Sequence, residues 1–136
     1  MTGENRARNI KDELDRASAA LHAGEELLRL GLHADSVSRA YYAAFHTLRA
    51  ALLSRGVEPK SHSGAIHLFN VELVRPGLFD SSWNRLLSGL QRTRELADYD
   101  AAVAFSAEDA SAEVESARRF GEAVRDFLQR EGYLTG

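Results

Sequence analysis

Apolar residues along this chain return at steps of three, four and seven, the rhythm of helices with one buried face. A first helix is predicted over about 5–30. Ile10, Leu14, Ala17, Leu21 and Leu28 share a stripe there, while Lys11, Asp12, Asp15, Arg16, Glu25 and Glu26 fall elsewhere. Gly31 sits where a left-handed helix cap belongs. The second helix, about 34–55, is different because it is apolar on more than one side. Val37, Ala40, Tyr41, Ala44, Phe45, Leu48, Ala51 and Leu52 make one broad face. The other side carries Arg39, Tyr42, Ala43, His46, Ala50 and Leu53, where a surface helix would carry Lys and Glu. That helix is expected between neighbours, with Arg39 and His46 turned toward something specific.

Gly56 and the Glu58-Pro59 pair end it firmly, because proline biases the preceding residue away from helix. A short helix follows over about 64–73, with Ile66, Phe69 and Leu73 on one side and Ser61 or Ser63 as N-cap. After the Arg75-Pro76-Gly77 turn, a fourth helix begins at Asp80 or Ser81, with Trp83, Leu86, Leu87, Leu90, Arg94 and Ala97 along its inward stripe. Residues 99–105 read as a linker. The last helix spans about 107–130, with Ala110, Val114, Ala117, Gly121, Val124 and Leu128 in register and Phe120 and Phe127 beside them. Ser106 with Asp109 resembles an acidic capping box at its start, and Gly132 ends it. The expected fold is therefore all-α: one domain over residues 1–136, an up-and-down bundle of about five helices with its core at about 5–131.

Composition narrows the function more than it names it. A net charge of −3 and a pI near 5.9 exclude a global basic field, though 17 Lys and Arg leave room for a local basic patch. Without cysteine there is no thiol or disulfide chemistry. The N-terminal residues lack an apolar signal core, and no run approaches the ~20 residues of a membrane span, so a soluble cytoplasmic protein is expected. No nucleophile elbow, phosphate-binding glycine loop, zinc spacing or paired-acid motif occurs. No metal site or cofactor is expected: His62 and His67 lie about 140° apart around a helix, and no Glu-x-x-His pair is present. His22 is expected on the solvated surface.

Two places break the pattern. Arg94 occupies an inward position on the fourth helix, where a buried arginine needs a carboxylate, carbonyls or an anionic ligand; Asp98 is one turn on, with Tyr99 beside it. Arg39, Tyr42 and His46 share the polar side of the second helix. His62, with Ser61 and Lys60, stands at a helix N-terminus able to attract an anion.

Taken together, Ser38-Arg39-Ala40-Tyr41-Tyr42-Ala43-Ala44-Phe45-His46, Gly56, Lys60-Ser61-His62-Ser63-Gly64 and Arg94-Glu95-Leu96-Ala97-Asp98-Tyr99 resemble the HEPN domain family, nearest its small stand-alone prokaryotic members. The resemblance covers nearly the whole chain. It implies a helical bundle, a homodimer, and a minimal nucleotidyltransferase as partner protein in a toxin–antitoxin or related two-component module. Active HEPN toxins are metal-independent RNases built on Arg-x4–6-His, in which arginine stabilises phosphoryl charge and histidine moves a proton. Here the corresponding segment ends in Tyr99 where histidine would stand, and a phenol with an ordinary pKa near ~10 is a poor proton shuttle at neutral pH. Arg39 and His46 satisfy the spacing on another helix and are the candidate catalytic pair. Tyr42, His62, Arg94, Asp98 and Tyr99 are the candidate ligand-binding residues. The leading expectation is a module component that binds nucleotide or RNA without cutting it; an RNase toxin and a purely structural dimeric scaffold are the alternatives.

Overall fold

A computed structural model describes residues 2–135. They form α1 (Gly3–Arg29), α2 (His33–Leu53), α3 (His62–Phe69), α4 (Ser81–Tyr99) and α5 (Ala107–Arg130), with no strand among the described residues. The helix starts follow from side chains that satisfy free backbone amides. Thr2 accepts from the Asn5 amide, Ser61 from Gly64 and Asp80 from Ser82. Ser106 and Asp109 exchange the two bonds of a capping box, at 3.0 and 3.1 Å. Gly31 and Gly56, with φ of 79° and 72°, turn the chain out of α1 and α2 as expected of left-handed caps.

Several boundaries differ by a residue or two from the sequence expectation, and one element was not foreseen. α3 does not stop cleanly but widens into a π-helical turn, Asn70–Val74, which keeps Leu73 fully buried while the chain bends toward Gly77. Tyr99 belongs to the last turn of α4 rather than to the linker.

The core lies around α2, which packs along nearly its full length on α1 and then on α5 and α4. Small residues permit this. Gly24 of α1 is buried against α2, where an added Cβ would meet Ser36 O and Arg39 Cβ at 3.4 Å, and Ser36 Oγ donates to Gly24 O at 2.7 Å. Tyr41, Leu48, Leu52, Leu87, Leu90, Val124 and Leu128 are buried as expected. At the other flank, Phe69, Phe79, Phe120, Phe127 and Trp83 form a chain of ring contacts 5.1–5.7 Å apart that ties α3 and α4 to α5.

One expectation about α2 is corrected. Phe45 is only partly buried, because its ring lies at the edge of the core against the His62 imidazole, 4.3 Å between centroids. Ala43, Ala50 and Leu53, on the other side of α2, are 3%, 0% and 3% exposed, as expected of a helix set between neighbours. The small size of Ala43 and Ala50 admits the neighbouring helices of the same chain.

Candidate functional site: an arginine set among aromatic rings

The two out-of-pattern places in the sequence become two adjoining sites, both hung on α2. In the first, α4 presents Arg94, which is 8% exposed. Its Nη1 donates to Asp98 Oδ2 at 3.3 Å, one turn along the same helix, and the other carboxylate oxygen accepts from Ser38 Oγ of α2 at 2.5 Å. Asp98 thus does two things: it balances the guanidinium and pins α4 to α2. Nη2 lies 3.5 Å from Nδ1 of His62, the first residue of α3. The guanidinium carbon is 5.0 Å from the Tyr41 ring and 5.9 Å from those of Tyr42 and Tyr99, within cation–π range.

This cage does not satisfy its own polar atoms. Arg94 Nε and the Tyr41 hydroxyl are buried with no hydrogen-bond partner. Such groups ordinarily find one, so each keeps hydrogen-bonding capacity that nothing among the described residues uses. The protonation states are set by the surroundings. Burial works against the Arg94 charge, but the bond to Asp98 and the nearby tyrosines outweigh it and raise its pKa. Burial pushes the Tyr41 phenol up to about 12, so it stays a hydroxyl donor. Burial and then the Arg94 charge lower His62 below its ordinary 6.5, leaving it neutral at pH 7. Arg94, Glu95 and Tyr99 line an open cleft, with Tyr99, at 78% exposure, toward its mouth. Arg92 and Arg94 thus face the cleft beside the carboxylates of Glu95 and Asp100, with Tyr41 and His62 packed against the Arg94 guanidinium, and the two arginines suit a phosphate or carboxylate.

The second site lies between α1 and α2. His46 Nδ1 donates to Glu13 Oε2 at 2.8 Å, while Glu13 Oε1 accepts from Arg16 Nη1 at 2.9 Å and Arg49 Nε at 3.4 Å. Glu13 is only 5% exposed; burial opposes its charge, but the His46 bond and the cations around it hold its carboxyl below the usual carboxylate range. Arg39 is exposed and lies over the Tyr42 ring at 4.9 Å. Arg39, Tyr42 and His46 line one shallow groove with Arg16 and an alanine floor of Ala19, Ala20 and Ala23.

All the candidate residues of the sequence therefore fall into these two neighbouring sites, with Tyr42 and His62 between them. Glu13 and Ser38 are among the participants that the sequence does not single out. Glu13 lies beside Leu14, between Ile10 and Ala17, in the buried phase of α1. Ser38 was quoted only as part of a motif, and nothing in its local sequence shows that it meets Asp98 60 residues away. His22 is exposed, and among the described residues no group of three or more histidine and carboxylate side chains is set to hold a metal ion. Nor, among those residues, is any helix long and apolar enough to cross a membrane.

Comparison with known proteins gives these sites a context. A UPF0332 protein of Gloeobacter violaceus is 38% identical over 119 residues, 87% of this chain and 94% of the relative. A Methanocaldococcus jannaschii protein named "Putative toxin" is 27% identical over 129 residues, 95% of this chain and 88% of its own. A second protein so named from the same organism is 33% identical over 96 residues, 68% of this chain and 72% of its own. The pattern described as the HEPN domain matches residues 10–127, which takes in both sites and reaches into every helix of the bundle, and the chain belongs to the HEPN domain family.

Proposed function

We propose that this chain is the HEPN component of a two-component, toxin–antitoxin-type module with a nucleotidyltransferase partner, and that its Arg94 cleft holds the phosphate of a nucleotide or RNA without cutting it. The observation that carries the binding reading is Arg94 itself: a permanent, nearly buried cation whose Nε has no partner, beside the equally unpartnered Tyr41 hydroxyl. A structural arginine ordinarily has its donors engaged; this one keeps a donor free next to a cleft. Absence of cutting follows from the chemistry around it. The segment after Arg94 supplies Tyr99 in place of histidine, and His62 turns Nδ1 toward the guanidinium. The module reading draws on the two toxin-named relatives and on the family resemblance.

Calorimetry with 5′-AMP tests the binding. Wild type should bind, and Arg94→Gln should weaken binding by about tenfold or more, as for loss of a charge-assisted hydrogen bond. Heat changes no larger than dilution for wild type would defeat the reading. Purified protein should leave RNA intact with or without EDTA. Co-expression with the adjacent gene products tests the partnership, and light scattering tests the homodimer.

One observation favours a second reading, the RNase toxin. The Glu13–His46 bond fixes the imidazole tautomer with Nδ1 protonated, so that Nε2 is the free nitrogen, and Arg39 shares its groove. That is how a carboxylate orients a general base. Metal-free cleavage lost in His46→Ala, with folding retained, would establish it.

A further inference from the structure

The Arg94 cleft and the α1–α2 groove are separate hollows, and the ring of Tyr42, which lines the groove, comes within cation–π range of an arginine from each. The Tyr42 ring lies 4.9 Å from the Arg39 guanidinium and 5.9 Å from that of Arg94. Tyr41 and His62 meet the ring edge-on, at interplanar angles of 72° and 83°. Those contacts fix the plane of the ring, and its partly exposed surface is covered by a surface arginine that makes no ion pair among the described residues. Beyond it positive charge is in surplus: Arg16 and Arg39 line the groove, and Arg16 and Arg49 both stand at the carboxylate of Glu13. Its alanine floor leaves no bulky side chain in the way.

From this arrangement we infer that the groove is a second subsite, and that the ligand is a single-stranded oligonucleotide of at least two residues rather than a mononucleotide. One phosphate sits at Arg94, the base next to it stacks on Tyr42, and the following phosphate lies in the groove against Arg39 and Arg16. Arg39 occupies the Tyr42 face in the free protein through a weak, exposed cation–π contact. An incoming base takes that face, and the displaced guanidinium turns to the phosphate. Cations interleaved with a rigidly held aromatic ring are the physical basis of sequence-tolerant single-strand binding. The inference rests on the binding reading proposed above and extends it from one phosphate to a strand.

Fluorescence anisotropy competition with 5′-AMP and oligoadenylate RNA of two, three and four residues tests it. Affinity should rise between about fivefold and about a hundredfold from AMP to the dinucleotide, the range for one stacked base. Arg39→Gln should abolish that rise and lower the salt dependence by about 0.7 for the lost phosphate contact. Tyr42→Leu should lose the rise and Tyr42→Phe should keep it, which a merely structural tyrosine hydroxyl would not produce. AMP binding with no gain for longer strands, or an Arg39→Gln protein that behaves as wild type, overturns the second subsite while leaving the Arg94 reading standing. Failure to bind AMP and oligonucleotide alike removes both.

Discussion

Replacing Glu13 by alanine should destabilise the bundle more than its helical-surface sequence context suggests. The carboxylate is 5% exposed and receives three donors, the shortest from His46 at 2.8 Å. A hydrogen bond to a charged group contributes about 1.5–3 kcal/mol, and removing one partner of a fully buried pair costs about 3–5 kcal/mol. Here the His46 and Arg49 side chains are 26% and 30% exposed, so they regain water when the carboxylate is lost. The Arg16 pair, on a side chain 64% exposed, adds little. The expected loss is therefore about 2–3 kcal/mol for Glu13→Ala, which lowers Tm by roughly 6–15 °C in a domain of this size. Glu13→Gln keeps the volume and one acceptor, and should lose about half as much. The effect has a pH signature. The folded-state pKa is depressed, so the stabilisation is fully present above the unperturbed 4.5 and disappears as pH falls through the lower folded value. Urea unfolding of wild type, Glu13→Ala, His46→Ala and the double variant, at pH 7 and pH 3, measures both. A Glu13→Ala protein within about 0.5 kcal/mol of wild type at pH 7, or additive losses in the double variant, would refute the argument.

Two further outcomes follow from α2. Leu48→Ala, at a site 1% exposed, should cost about 2–5 kcal/mol in urea unfolding, whereas Phe45→Ala, at the edge of the core, should cost less; the reverse order would contradict the packing described. His62 has a folded pKa below 6.5, so the unfolded chain takes up its proton first as pH falls. Stability should therefore decline from about pH 6.5 downward until the folded value is reached, and His62→Gln should flatten that limb; an unchanged slope in the variant would rule out His62 as its source.

The helices were legible because periodicity and capping are local. Ser106 with Asp109, the glycines at 31, 56 and 132, and the two-sided greasiness of α2 all carried their meaning within a few residues. The inward phase of Arg94 was legible for the same reason, and Asp98 sits one turn away where it was expected. What could not be read was whatever depends on a second element. The small residues of α2 speak for close approach but not for whose helix approaches, and Ala43 and Ala50 proved to be covered from within the chain. Phe45 has the spacing of a core residue, yet His62, brought in by α3, leaves it at the rim. The widening of α3 into a π-helical turn, with Leu73 buried in it, has no signature in the local periodicity.

The uneven grip on α2 also has consequences for motion. α1 holds α2 along most of its length, whereas α4 meets it over a shorter stretch, fastened by the Ser38–Asp98 bond and by Arg94 among the tyrosines. Segments with fewer buried contacts open at lower free energy than the whole domain. The backbone amides of α4 should accordingly exchange with solvent deuterium sooner than those of α2. An anion seated on Arg94 would add its bonds to this seam, so ligand binding would be recorded in slowed exchange along α4 even where no atom visibly moves.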